Sequence, residues 1–256
     1  MDNGDQKTLR RQDITFEDKD QALRDDVRTL GTLVGELIRE QGGDELFEFV
    51  ENARLRSIRR RENNELEGEE LAALVEGLDP GMAMQVIRAF STYFQMVNTA
   101  EKVHRIRRRR EYLRDVEGYQ PGGPEDTLIR LKANGMTADE LQDLLNSMRI
   151  EPVFTAHPTE PTRRTILRKE QTIVRHLVDM INPTMTPQEK NAALQNIRLL
   201  VTTGWQTDEH TSQPTVADEV EHVLFYVSDV VYRIVPALYR ELEDAVGEVF
   251  GPEAAA

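Results

Sequence analysis

One short β-prone stretch stands in a chain that otherwise repeats its apolar residues at helical spacing, and that mismatch limits the available folds. Within residues 151–156, Val153, Phe154 and Thr155 are strand formers. A lone strand cannot satisfy its own backbone donors and acceptors, and even a two-stranded hairpin is marginal in water. No other segment offers a partner. The expected fold class is therefore mainly α, with about eight helices and one strand at 151–156. The partner strands are expected downstream, which makes the chain the front part of a longer protein. Residues 1–150 are expected as a helical region and residues 151–256 as the strand with the helices that follow it.

The helical periodicities carry the rest. From about residue 19 to 39, Leu23, Val27, Leu30, Val34, Leu37 and Ile38 form one apolar stripe. Gly42 and Gly43 end it. A second helix carries Leu46, Phe49, Val50, Ala53 and Ile58, then fades into a polar run. Asp79 as N-cap and Pro80 at the first position open a long helix with Val86, Phe90, Phe94, Val97 and Ile106 on its apolar side. Residues 117–127 read as a loop by their Gly and Pro content. Thr137 and Glu140 form a capping box for a short helix to about residue 147. Further helices are expected over 162–180, and over 188–203 after the start signal Thr186, Pro187 and Glu189. The last begins near Thr215 and Asp218. Its expected buried side is Val220, Val223, Leu224, Val227, Val230, Val231, Ile234 and Leu238, and Pro236 should kink it.

Composition excludes several classes. Charged residues make up 30% of the chain, mean hydropathy is −0.55, and no apolar run is long enough to span a membrane. The N-terminus lacks the apolar core of a signal peptide, so the cytosol is the expected compartment. The absence of cysteine removes disulfides, thiolate nucleophiles and Cys-based zinc sites. A formal charge of −14 argues against a general nucleic-acid binder. Two arginine-rich runs, 54–61 and 104–110, lie beside acidic residues within helical patterns. They read as salt-bridged faces, with RNA binding as the competing reading.

The chemistry concentrates after the strand, in "VFTAHPTEPTRR". Pro158 disfavours the helical region for His157 and holds it extended at the strand's carboxyl end, where α/β folds place substrates. Thr159 and Thr162 are candidate caps for a helix starting near Pro161, whose first-turn N–H groups favour an anion. Arg163 and Arg164 add guanidinium forks suited to phosphate or carboxylate. A group titrating near neutrality beside an anion pocket fits proton transfer on a phosphorylated or carboxylated substrate. The same residues also fit a plain structural turn, with the arginines paired to Glu160 or Glu170. His104, His176, His210 and His222 show no metal-ligand spacing, so no metal site is assigned to the chain.

The segment Thr155, Ala156, His157, Pro158, Thr159, Glu160, followed by Arg163 and Arg164, resembles the first signature of the phosphoenolpyruvate carboxylase family. Residues 26–38, 86–107, 202–209 and 214–220 also resemble family segments in the same order. The resemblance implies a mostly helical protein around an eight-stranded TIM-like barrel, with 151–156 as its first strand, assembled as a homotetramer. It implies phosphoenolpyruvate and bicarbonate as substrates, oxaloacetate and phosphate as products, and Mg²⁺ as cofactor. His157 corresponds to the family's active-site base. Arg163 and Arg164 are the candidate anion-binding residues of this chain. The metal-binding carboxylates, a catalytic lysine, further arginines and a glycine-rich loop belong to later segments with no match here, so the 256 residues alone are expected to be inactive. The phosphorylatable serine of plant members has no counterpart in the first fifty residues. A non-catalytic helical assembly fragment is the alternative reading.

Overall fold

The computed structural model describes residues 17–61, 65–115, 118–153, 164–207 and 215–255. Among them the chain is mainly α-helical, with no strand. The elements are α1 (Gln21–Arg61), α2 (Glu65–Glu76), α3 (Pro80–Tyr112), α4 (Pro124–Ala133), α5 (Ala138–Ser147), α6 (Arg164–Asp179), α7 (Pro187–Trp205), α8 (Val216–Phe225) and α9 (Tyr232–Phe250). A six-residue π segment, Tyr226–Val231, joins the last two. Of the expected strand, Glu151, Pro152 and Val153 adopt no regular structure, and residues 154–156 lie outside the described set. An edge without a neighbour has nothing to bond to, and Val153 is 93% exposed.

Two compact units are present. The first is built from the described residues up to His104 together with Ile173–Trp205. Its core joins Leu30, Val34, Leu37 and Leu46 of α1 to Ala89, Met96, Ala100 and Val103 of α3, Ile173 and Leu177 of α6, and Ile197 and Val201 of α7. The expected α1 stripe is buried at Leu30, Val34, Leu37 and Ile38. The expected break is also present, since Gly43 adopts φ 85° and ψ 171° inside α1. That conformation is essentially closed to residues with a Cβ. The break turns the second half of the helix so that Leu46 becomes fully buried.

The α3 stripe requires correction. Phe94 is 56% exposed, and the buried positions are Val86, Ala89, Thr92, Met96, Thr99, Ala100, Val103 and His104. Small residues line the contact and let the neighbouring backbones approach. Thr92 and Thr99 satisfy their hydroxyls by donating to the Arg88 and Gln95 carbonyls one turn back, so neither costs an unpaired polar group. Asp79 caps α3 as expected, its Oδ1 accepting from the N–H groups of Gly81 at 2.8 Å and Met82 at 3.1 Å.

Two helices were not anticipated. The polar run after α1 contains α2, and the expected 117–127 loop ends at α4, which has Gly123 as N-cap and Pro124 in its first turn.

The second unit holds Arg105–Thr172 and the described residues from Gln206 onward. Its buried cluster is small: Leu128 of α4, Leu141 of α5, and Ala245 and Val246 of α9. The expected capping box of Thr137 with Glu140 forms there, and at the expected helix start Thr215 forms a second one with Asp218. In each, a carboxylate accepts from the threonine's own N–H and hydroxyl, which holds Glu140 and Asp218 below the usual carboxylate range. Pro236 lies inside α9, and the widened π segment precedes it, so the helical register shifts close to where a break was expected. Of the expected buried side of this last helix, Val223 and Val231 are half-buried and the rest is open to solvent. Val220, Leu224, Val227, Val230, Ile234 and Leu238 are all exposed, because no described helix of the unit packs over them.

Candidate functional site

His157 and Arg163 lie outside the described residues, as does the whole stretch 154–163. The description resumes at Arg164, the first residue of α6. Its side chain is turned toward α8. One guanidinium nitrogen, Nη2, donates to the backbone carbonyl of Glu221 at 2.5 Å, and Nη1 lies 3.7 Å from the Glu221 carboxylate. The guanidinium carbon sits 5.8 Å from the centre of the Phe225 ring. A carbonyl, a carboxylate and an aromatic face are three of the partners that a planar, delocalised cation accommodates better than a lysine would.

Five residues on, Lys169 Nζ donates to the Thr207 hydroxyl at 3.1 Å. The first half of α6, which directly follows the histidine-bearing stretch, is thus tied both to the segment after α7 and to α8. Arg164 serves there as a tie between helices. Its guanidinium carries five N–H donors, so these contacts do not exhaust its capacity for an anion.

This pairing was not legible in advance. Arg164 and Glu221 are 57 residues apart, and neither Glu221 nor Phe225 belongs to any local motif. The structural alternative pairs Arg164 with Glu160 or Glu170, neither of which is the partner seen here.

The remaining histidines have local surroundings of their own. His104 is buried in the first unit, with Nε2 3.5 Å from Asp20. His222 packs edge-on against Tyr226, with ring centres 4.9 Å apart. His210 lies outside the described residues. Among the described residues no group of three or more His, Cys, Asp or Glu side chains could hold a metal ion. A cleft of about 350 Å³ in the first unit is lined by Glu45, Glu48, Phe49, Asn52, Asp79 and Met82, among others. Its carboxylates have the wrong sign for an anionic substrate, and it contains none of the candidate residues.

Four arginines of the two runs are paired with carboxylates, in line with a salt-bridged face. Arg54 donates to Glu51 at 2.6 Å and Arg56 to Glu70. Arg108 donates to Glu111 at 2.5 Å, and Arg109 pairs with Glu241. No helix among the described residues is long and apolar enough to cross a membrane.

These features define a mainly helical protein in which the helix carrying Arg164, which follows the His157-Pro158 stretch in sequence, is tied to α8 and to the segment after α7. Comparison with known proteins narrows that class. The family profile described as phosphoenolpyruvate carboxylase matches residues 23–256. A phosphoenolpyruvate carboxylase of Xanthomonas campestris pv. campestris is 48% identical over 243 residues, covering 94% of this chain and 27% of that protein. Those of Ralstonia nicotianae and Azorhizobium caulinodans are each 39% identical, over 95% and 92% of this chain and 25% and 26% of their own lengths. The chain belongs to the phosphoenolpyruvate carboxylase family. It spans about a quarter of the length of these curated relatives.

Proposed function

We propose that this chain contributes the first signature of a phosphoenolpyruvate carboxylase and acts as one part of that enzyme's full polypeptide. The observation that carries the reading is the family match over residues 23–256, which includes the His157 segment and the arginine pair behind it. In the proposed reaction an oxygen of bicarbonate attacks the phosphorus of phosphoenolpyruvate. The bond from phosphorus to the enol oxygen breaks, leaving carboxyphosphate and the enolate of pyruvate. His157 takes the carboxyphosphate proton, the carbon–oxygen bond to phosphate breaks, and carbon dioxide and inorganic phosphate separate. The enolate carbon then attacks carbon dioxide and gives oxaloacetate.

The candidate residues suit these roles. An imidazole titrates near neutrality, and a positioned general base contributes about 10²–10⁴-fold. Arg163 and Arg164 would set positive charge beside the trianionic substrate, with the Arg164 tie to Glu221 fixing the start of α6. On the same proposal, residues of later segments would hold the Mg²⁺ that supplies Lewis-acid stabilisation of the enolate oxygen. Residues 151–156 as the first strand of a TIM-like barrel, a cytoplasmic location and a homotetramer belong to the same proposal. So does the inactivity of the 256 residues alone, because positioning and electrostatics from the remainder supply most of the rate.

The test is a chimera in which this chain replaces the matched segment of the Xanthomonas campestris relative, compared with its His157→Asn variant. The chimera should form oxaloacetate from phosphoenolpyruvate and bicarbonate, and the variant should lose about 10²–10⁴-fold. Unchanged oxaloacetate output from the variant would remove His157 from its role.

A further inference from the structure

The apolar side of α9 is only half covered. Ile234, Leu238, Leu242, Ala245 and Val249 recur every three or four residues, with Val235, Tyr239 and Val246 flanking them, so they share one face of the helix. The C-terminal half of that face is packed: Ala245 and Val246 are 1% and 5% exposed, and Leu242 and Val249 pack with them against Leu128 and Leu141 of α4 and α5. The N-terminal half of the same face continues beyond the reach of α4 and α5. There Ile234 is 58% exposed and Tyr239 63%, with Val235 and Leu238 also exposed.

A second row lies on α8 and ends in the π segment that follows it. Val216, Val220, Leu224 and Val227 are spaced by four, four and three, and all are exposed. From residue 216 to 239 the two rows extend over roughly 35 Å of helix, at about 1.5 Å per residue. Single exposed apolar residues are ordinary, but a contiguous row of this length marks a surface that is covered in the working protein.

We infer that the α8 row and the uncovered half of the α9 face form the docking surface for the part of the family's polypeptide that lies outside this chain. Two observations select that occupant over others. The surface is the direct continuation of an intramolecular packing face, α9 against α4 and α5, so it extends a core and does not begin a separate patch. The chain accounts for only 27% of its Xanthomonas campestris relative, which leaves nearly three quarters of that polypeptide to supply complementary apolar side chains. The row is also seated in the unit that carries Arg164, whose contacts with Glu221 and Phe225 fix α8 to the start of α6. Docking on this surface would therefore bring the remainder against the element that follows the His157 segment. The inference rests on the reading of this chain as part of a longer carboxylase, but it concerns burial and not turnover.

Hydroxyl-radical footprinting tests it on the 256-residue chain and on the full-length chimera described above. Leu224, Ile234, Leu238 and Tyr239 should be oxidised readily in the 256-residue chain, with rates falling at least about tenfold in the chimera. Leu199, 62% exposed on α7, provides the reference position. A parallel measurement uses the 256-residue chain carrying Leu224→Asp and Leu238→Asp, co-expressed with the relative's remaining sequence as a separate polypeptide. Wild type should capture that polypeptide, and the doubly substituted chain, with unchanged helicity, should capture it at least about tenfold less well.

Equal oxidation of the four residues in chain and chimera, or equal capture by both forms, would overturn the inference. Protection that rises with concentration in the 256-residue chain alone would assign the surface to a second copy and would equally overturn it. Loss of oxaloacetate formation by a chimera whose surface is protected would count against the proposed function and leave the docking surface standing.

Discussion

The two units solve the same packing problem to different degrees. In the first, four helices close around Leu30, Leu37, Leu46, Val103 and Ile197, each at most 2% exposed. In the second, four buried residues make up the cluster, while two rows of aliphatic and aromatic side chains face water. Both units draw on the same vocabulary of amphipathic helices with good caps. What separates them is whether a covering helix lies within the described chain. Local helix formation therefore says little about whether a unit is complete, since most helical stability in proteins comes from the packed face and not from propensity.

The largest test of this contrast is a pair of truncations. Leu37→Ala should lower the stability of the 256-residue chain by about 2–5 kcal/mol in urea unfolding, because it opens a cavity in a closed core. Leu238→Ala, at a position 43% exposed, should shift the same transition by less than about 0.5 kcal/mol. Similar losses from both would show that α9 is covered after all. A smaller effect is expected at the break in α1. Gly43→Ala forces a side chain into a conformation reserved for glycine and should cost about 1–3 kcal/mol, although a Cβ there would meet nothing within 4 Å. A cost near zero would mean that the break is not fixed.

The smallest effect is in pH. Among the described residues, Asp126, Glu140 and Asp218 of the second unit are held below the usual carboxylate range, as is Glu189 of the first. The Gly122 N–H is the main cause at Asp126, the Thr137 and Thr186 N–H groups at Glu140 and Glu189, and the Thr215 hydroxyl at Asp218. A carboxylate with a depressed folded pKa contributes stability above its unfolded pKa and loses it as pH falls through the folded value. Acidification below roughly pH 4 should therefore loosen α4, α5 and α8 before α7, as residue-resolved amide signals would report. Loosening of α7 first would break the ranking.

The residues made some of this legible and concealed the rest for physical reasons. The α1 stripe could be read because its core positions are large aliphatics at regular spacing. The α3 face was read only in part: Val86 and Phe90 do reach the core, but the rest of the contact uses Ala89, Ala100, Thr92 and Thr99, while Phe94 is exposed. Periodicity also assigned a buried side to the segment now seen as α8, the π segment and the first half of α9, and most of that side is exposed, because a pattern cannot say whether the neighbour that would bury it is present. The histidine segment was recognisable from its own few residues. The anchoring of Arg164 was not, because Glu221 and Phe225 arrive through folding and carry no local mark.

Hydrogen exchange on the 256-residue chain tests the contrast between a closed and an unfinished unit most directly. Amides of α1, α3 and α7 around the first core should exchange slowly, through global unfolding, while those of 216–239 should exchange orders of magnitude faster through local opening. Protection over 216–239 equal to that of the first core, in dilute monomeric chain, would contradict the account.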